Sequence, residues 1–242
     1  MVKKQPHLLL SHGEINDTVL LPGDPDRVEK IADHLDESEV VSENREYKVA
    51  NGYYDGDPVS VCSTGVGCPS AAVAVEELEK IGAQNLIRVG TAGALQSDLK
   101  KGDVVIGTAS GKFDGTTDRY EDVEIPAVAD FNVVHKLIHN AQDRGDEVHV
   151  GPIVTDDAFY AEDEIAYRWS DANVLAVEME AAVIFTLARR KNLSAGAIVA
   201  IDGNLVAGEQ KGETSGEEEL PEQARKGVDK QIEIALEAVK EL

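Results

Sequence analysis

The sequence predicts an α/β fold: a single domain of three αβα layers around a mixed central sheet. Three observations carry the α/β reading. Apolar, β-branched runs of strand length recur along the 242 residues. Segments with helical periodicity separate most of them, and 42% of the residues are hydrophobic, enough for a buried core at this length. In order, "TVLLPG" reads as a strand and "DPDRVEKIADHL" as a helix. Asp24 is placed as its N-cap and Pro25 as its first residue, where a missing N–H costs nothing. "YKVANGYYDGDPVSVCST" reads as a hairpin turning at Asp55-Gly56. "CPSAAVAVEELEKIG" is a helix stopped by Gly82, and "NLIRVG" is a buried strand. "DVVIGTAS", "VHVGPIVT", "VLAVE" and "AGAIVAID" are further strands. "AVADFNVVHKLIHNAQDRG", "EMEAAVIFTLARRKN" and the terminal "EQARKGVDKQIEIALEAVKEL" are helices. No repeat or break in composition divides residues 1–242, which are read as one domain. "NLVAGEQKGETSGEEELPE" is a long loop and a candidate lid.

Charge excludes whole classes of partner. The chain has 23 basic and 46 acidic residues, a formal −23, whereas nucleic acids and anionic membranes are bound by basic patches. The acids are spread through periodic sequence, a solvated surface suited to a high-salt, halophilic cytoplasm. No apolar run approaches the roughly 20 residues of a membrane helix, and "LLL" near the N-terminus is too short for a signal core, so a cytoplasmic protein is expected. Cys62 and Cys68 read as reduced, buried residues. With no further cysteine or suitably spaced histidine, zinc, haem and iron–sulfur ligation are not expected, and the metal expectation is none.

Ligands of open α/β sheets collect beyond strand ends. "PGDPDR" runs a glycine loop into a helix start, with Arg27 in the first turn: an anion site, or simply a surface arginine. Arg88 lies inside an apolar strand and needs a charge partner, either in a structural ion pair or at a ligand. After it, Thr91, Ala92 and Gly93 offer a hydroxyl and close backbone approach. "GVGCPS" lacks the glycine spacing of a dinucleotide fingerprint. In "VEMEAA", Glu178 and Glu180 open an apolar helix. A carboxylate there suits a vicinal diol, and the bland alternative is a solvated side chain. Asp202 closes the strand "AIVAIDGN", as a turn residue or as a general acid.

With an anion site, a diol binder and a proton donor assembled, the sequence resembles the trimeric or hexameric nucleoside phosphorylases. The motifs that carry the resemblance are "LPGDPDRVEKIA", "ENREYKV", "STGVGCPSAAVAVEEL", "IRVGTAGAL", "DDAFYAEDE", "VEMEAA" and "VAIDGN", from about His7 to the final helix. That family includes bacterial-type purine nucleoside phosphorylase, uridine phosphorylase and archaeal methylthioadenosine phosphorylase. The resemblance implies that Gly23, Arg27, Arg88 and Thr91 hold phosphate, with Arg45 reaching the site of a neighbouring subunit in a hexamer built as a trimer of dimers. His7 would likewise cross toward the ribose 5′ end. Met179 and Glu180 would bind ribose, and Phe159 would stack on the base beside Ala92, Gly93 and Val177. Asp202 would protonate the departing purine, helped by Arg225. Phosphate is then a co-substrate and no cofactor is needed, with a monovalent cation between subunits near Glu46 and Ser70 as an option. Glu178 is expected to support the site from another direction, on the argument that both glutamates cannot point the same way.

The base is read as purine. Asp202 fits the purine pattern, and Asp163 and Ile165 replace the Gln and Arg by which uridine phosphorylases of the family read uracil. Uridine phosphorolysis is the alternative. A phosphate-independent nucleosidase has no use for Arg27, Arg45 and Arg88, and a non-catalytic binding protein would carry them by coincidence.

Overall fold

The computed structural model describes residues 4–209 and 221–242, the side chains of Asp163 and Glu164 excepted. In chain order the elements are β1 (Thr18–Leu21), α1 (Pro25–Ala32), β2 (Asp36–Asn44), β3 (Tyr47–Tyr54), β4 (Asp57–Cys62), α2 (Cys68–Ile81), β5 (Asn85–Ala94), β6 (Val104–Phe113) and β7 (Ala127–Val128). There follow α3 (Phe131–Arg144), β8 (His149–Asp156), a 3₁₀ turn (Phe159–Glu164), α4 (Ala166–Asp171), β9 (Ala176–Glu178), α5 (Ala181–Arg190), β10 (Ser194–Asn204) and α6 (Glu222–Val239).

The strands form one ten-stranded mixed sheet in the order β10-β6-β8-β9-β5-β1-β4-β3-β2, with β7 on β6. Strand β5 also pairs in parallel with β10, so the path β5-β9-β8-β6-β10 returns to β5 and closes on itself. A ring of strands hides its own edges. Two apolar layers cover the sheet. One packs α2 and α5 through Leu78, Ile81, Ile184 and Phe185, and the other packs α1, α3 and α6 through Val28, Ile31, Leu137 and Ile232. The three-layer expectation holds.

Local chemistry sets the helix ends as anticipated at α1, where the Asp24 side chain accepts from Asp26 N–H ahead of Pro25, and at α2, where Gly82 N–H returns to the last turn. Two expectations shift, and one strand was not anticipated. The helix expected from Ala127 begins at Phe131, because Ala127–Val128 pair with β6 and Asp130 caps α3 through the N–H groups of Asn132 and Val133. Strand β5 runs through Ala94, so Thr91, Ala92 and Gly93 are ladder residues rather than a loop. Strand β2, "DESEVVSEN", has no apolar alternation because it is a mostly exposed outer strand held through β3. Residues 210–220 of the candidate lid lie outside the described residues. No described helix is long and apolar enough to cross a membrane.

Candidate active site

One cavity of about 510 Å³ is lined by Gly23, Asp24, Pro25 and Arg27 of the β1–α1 turn, Arg88, Gly90 and Thr91 of β5, and Glu46, Gly65 and Val66. Phe159, Glu178, Met179, Glu180 and Asp202 complete it. Its size is that of a small-molecule site, roughly 300–1,000 Å³.

At its floor is Arg88, which is 4% exposed. Its Nε donates to Glu178 Oε2 at 2.7 Å and its Nη2 is paired with Glu180. Burial alone would lower the Arg88 pKa, but Glu180 and Glu178 more than reverse this and hold it above its ordinary value. Nη1 has no hydrogen-bond partner among the described residues. It lies on the side of Gly23, where an added Cβ would stand 4.0 Å away. Gly90 makes room for the guanidinium, since a Cβ there would come within 2.8 Å of Nη2. Arg27 points to the same cavity; burial and the neighbouring Arg88 lower its pKa, opposed by Asp24, Asp202 and Glu180. Two guanidiniums and the Thr91 hydroxyl thus line a cavity fit for a polyanion.

The two glutamates do converge, contrary to expectation: positions 178 and 180 are two apart, so an extended backbone sends both side chains to one face. Their tasks differ. Glu178 also accepts from the Thr155 hydroxyl at 2.5 Å and from the N–H groups of Glu180 and Ala181, at the start of α5. It therefore ties down the first N–H groups of α5 as well as serving as a charge partner. Glu180 accepts from Gly67 N–H at 2.6 Å and lines the cavity beside Met179.

Asp202 reaches the cavity by a break in the ladder. The β10–β5 register shifts between Ile201 and Gly203, leaving Asp202 as the residue of a β-bulge. The "GVGCPS" loop, dismissed as a dinucleotide fingerprint, proves to matter: Gly65 and Val66 line the cavity and Gly67 holds Glu180. Gly65 has φ 70°, and a Cβ there would lie 2.8 Å from Glu46 Cγ and 3.0 Å from Ser70 Oγ. The repeated glycines were the available signal.

Of the residues singled out in sequence, Gly23, Arg27, Arg88, Thr91, Phe159, Met179, Glu180 and Asp202 line this cavity. Ala92, Gly93 and Val177 do not: they are buried in the β5 and β9 ladders, with Gly93 paired to Val177. Arg225, exposed in the first turn of α6, does not line it either. Nor do Arg45, exposed at the β2–β3 turn with φ 59°, and His7. His7 Nδ1 is 2.7 Å from Glu77 Oε1, and Glu77 also takes the N–H groups of His7 and Leu8. The Asp163 side chain lies outside the described residues, and Ile165 packs on the cluster of Trp169 and Val177. Both cysteines are free and buried, and no described group of three or more His, Cys, Asp or Glu is arranged for a metal.

Comparison with known proteins places this geometry. Residues 17–240 match the model of the phosphorylase superfamily. The guanosine phosphorylase of Halorubrum lacusprofundi is 55% identical over 98% of both chains. The uridine phosphorylase of Thermococcus kodakarensis is 40% identical over 85% of this chain and 79% of its own. The crystal structure of purine nucleoside phosphorylase from Toxoplasma gondii in complex with immucillin-H superposes with a TM-score of 0.90 at 30% identity, covering 98% of this chain and 95% of that one. The chain belongs to the phosphorylase superfamily, among its nucleoside phosphorylases.

Proposed function

We propose that the protein carries out reversible phosphorolysis of a purine ribonucleoside to free base and ribose 1-phosphate, as one domain over residues 1–242. The observation that carries this reading is the single cavity lined by Arg27, Arg88, Thr91, Glu180 and Asp202. Phosphate bound by the arginines and Gly23 attacks the anomeric carbon. A C1′–O bond forms as the C1′–N9 bond breaks, and the bond pair passes into the purine. Glu180 binds the 2′ and 3′ hydroxyls and favours positive charge on the sugar. Protonated Asp202 gives its proton to N7 and is reprotonated from water. Phe159 and Met179 flank the base and ribose.

The 55% identity to a guanosine phosphorylase supports a purine, guanosine foremost. Uridine is the second reading, favoured by the 40% identity to a uridine phosphorylase. The active unit in this reading is a hexamer built as a trimer of dimers, in which His7 and Arg45 serve a neighbouring subunit. Their position away from the cavity of their own chain supports that assignment. A monovalent cation between subunits would sit by Glu46 and Ser70, which both crowd Gly65. The net charge of −23 and the Halorubrum relative support a halophilic, cytoplasmic enzyme.

The test is release of base from guanosine, inosine, adenosine, methylthioadenosine and uridine, with and without phosphate, in molar salt. Phosphate-dependent purine release is the expected result. Release without phosphate would overturn the role of the arginines, and release from uridine alone would overturn the purine assignment.

A further inference from the structure

Asp156 is the last residue of β8 and is 2% exposed. Its Oδ1 accepts from Ala158 N–H at 2.9 Å, which shapes the turn into the 3₁₀ segment, while Oδ2 has no hydrogen-bond partner among the described residues. A turn of this kind needs one side-chain oxygen, which asparagine or serine supplies equally well. A second carboxylate oxygen sealed away from water and unpaired is a cost the turn does not explain.

Its surroundings do. Strand β8 pairs in parallel with β9, Val154 with Val177 and Thr155 with Glu178. Continuing that register sets Asp156 beside Met179, a wall of the cavity. Thr155 points to the Glu178 face, so by alternation Asp156 points with Val154 to the opposite one. Three residues on, Phe159 forms another part of the wall. Asp156, though not itself in the cavity wall, thus sits behind the stretch between Met179, assigned to the ribose, and Phe159, assigned to the base.

We infer that Asp156 is a specificity residue, whose Oδ2 accepts a hydrogen bond from a ring N–H of the base and so favours 6-oxopurine over 6-aminopurine nucleosides. This rests on the purine reading above. Guanine and hypoxanthine present N1–H, a donor that a carboxylate oxygen satisfies, whereas adenine presents the N1 lone pair, which an acceptor repels. Sites built to bond a substrate N–H reject analogues lacking it because the buried partner is then left unpaired. For Oδ2, which is closed to water, to meet the base, the turn carrying Phe159 has to move.

The test compares kcat/KM for guanosine, inosine and adenosine in wild type and Asp156→Asn, with phosphate in molar salt. Asparagine keeps the turn oxygen and replaces the acceptor by a donor. The expected result is a loss of about 10–100-fold for guanosine and inosine with adenosine unchanged or improved. An equal loss for all three marks a structural role and overturns the inference, as does an unchanged ratio. Wild type alone supplies an independent arm: 1-methylinosine, with N1–H replaced, is expected to react about 10–100-fold more slowly than inosine, and equal rates overturn the inference. A wild type that acts on uridine alone sinks the purine reading before any variant is made, so the two failures are told apart.

Discussion

Arg88 is gripped from two sides, its Nε by Glu178 at 2.7 Å and its Nη2 by Glu180, so that Nη1 is the donor left over for an incoming anion. Breaking a buried charge pair costs about 3–5 kcal/mol, because the surviving charge stays buried. Arg88→Met strands two carboxylates that are 1% and 3% exposed. Urea titration is expected to show a loss of that size, and steady-state kinetics a rise in the KM for phosphate of tenfold or more. An unchanged phosphate KM would remove Arg88 from the phosphate site.

Glu178 and Glu180 separate under the same substitution. Glu178→Gln disturbs the start of α5 and the Thr155 bond, so its effect should be read mainly in thermal stability. Glu180→Gln should lower kcat/KM for ribonucleosides by about 10²-fold, as expected when a charged hydrogen bond to substrate is lost. For the 2′-deoxynucleoside the same substitution is expected to cost less, since one of the two hydroxyl partners is already missing.

Asp202→Asn cannot deliver a proton. A fall in kcat of about 10²–10⁴ is expected, with the dissociation constant for phosphate unchanged. Retained kcat would assign the proton to another group.

If His7 and Arg45 complete a neighbour's site, two dead variants should rescue each other. Arg45→Ala and Asp202→Asn, unfolded together and reassembled, are expected to regain phosphorolysis that neither shows alone. Activity no greater than the sum of the separate proteins would place each site within one chain.

Burial raises the pKa of the Cys62 thiol from its ordinary 9.0 to about 12 and that of Cys68 further. Between the two Cys62 values the folded chain binds more protons than the unfolded one, so stability falls as pH rises across that window. Melting curves between pH 8 and 11 should show the decline beginning near the ordinary thiol value. Maleimide labelling of the folded protein at pH 8 should be slow and become rapid on unfolding. Rapid labelling of the native state would contradict the burial.

The parts of the fold legible in sequence were those where local chemistry and burial agree. The caps of α1 and α2, the Asp55-Gly56 hairpin and the interior strands announce themselves in this way. Strand β2 was not legible, because an exposed outer strand of acidic residues has no alternation to detect. At the site, charged residues inside apolar runs, Arg88 and Glu180, were informative because burial demands partners for them. The shared face of Glu178 and Glu180 was misjudged through counting two positions as one. Asp156 gave no signal, since "TDDAF" reads as an ordinary turn and its sealed oxygen exists only once β8 and β9 are paired.

The bulge at Asp202 separates what the strand must do from what the enzyme must do. Every other β10 residue from Ser194 to Asn204 is committed to a register with β5, and its side chain to the alternation that register imposes. Asp202 stands outside that contract. Its side chain can be exchanged for another proton donor, or for none, without the ladder on either side being renegotiated. If Asp202 is the proton donor, as proposed, leaving-group chemistry sits at the one β10 position outside the β5 register, and a change of nucleobase could retool position 202 while leaving the backbone ladder intact.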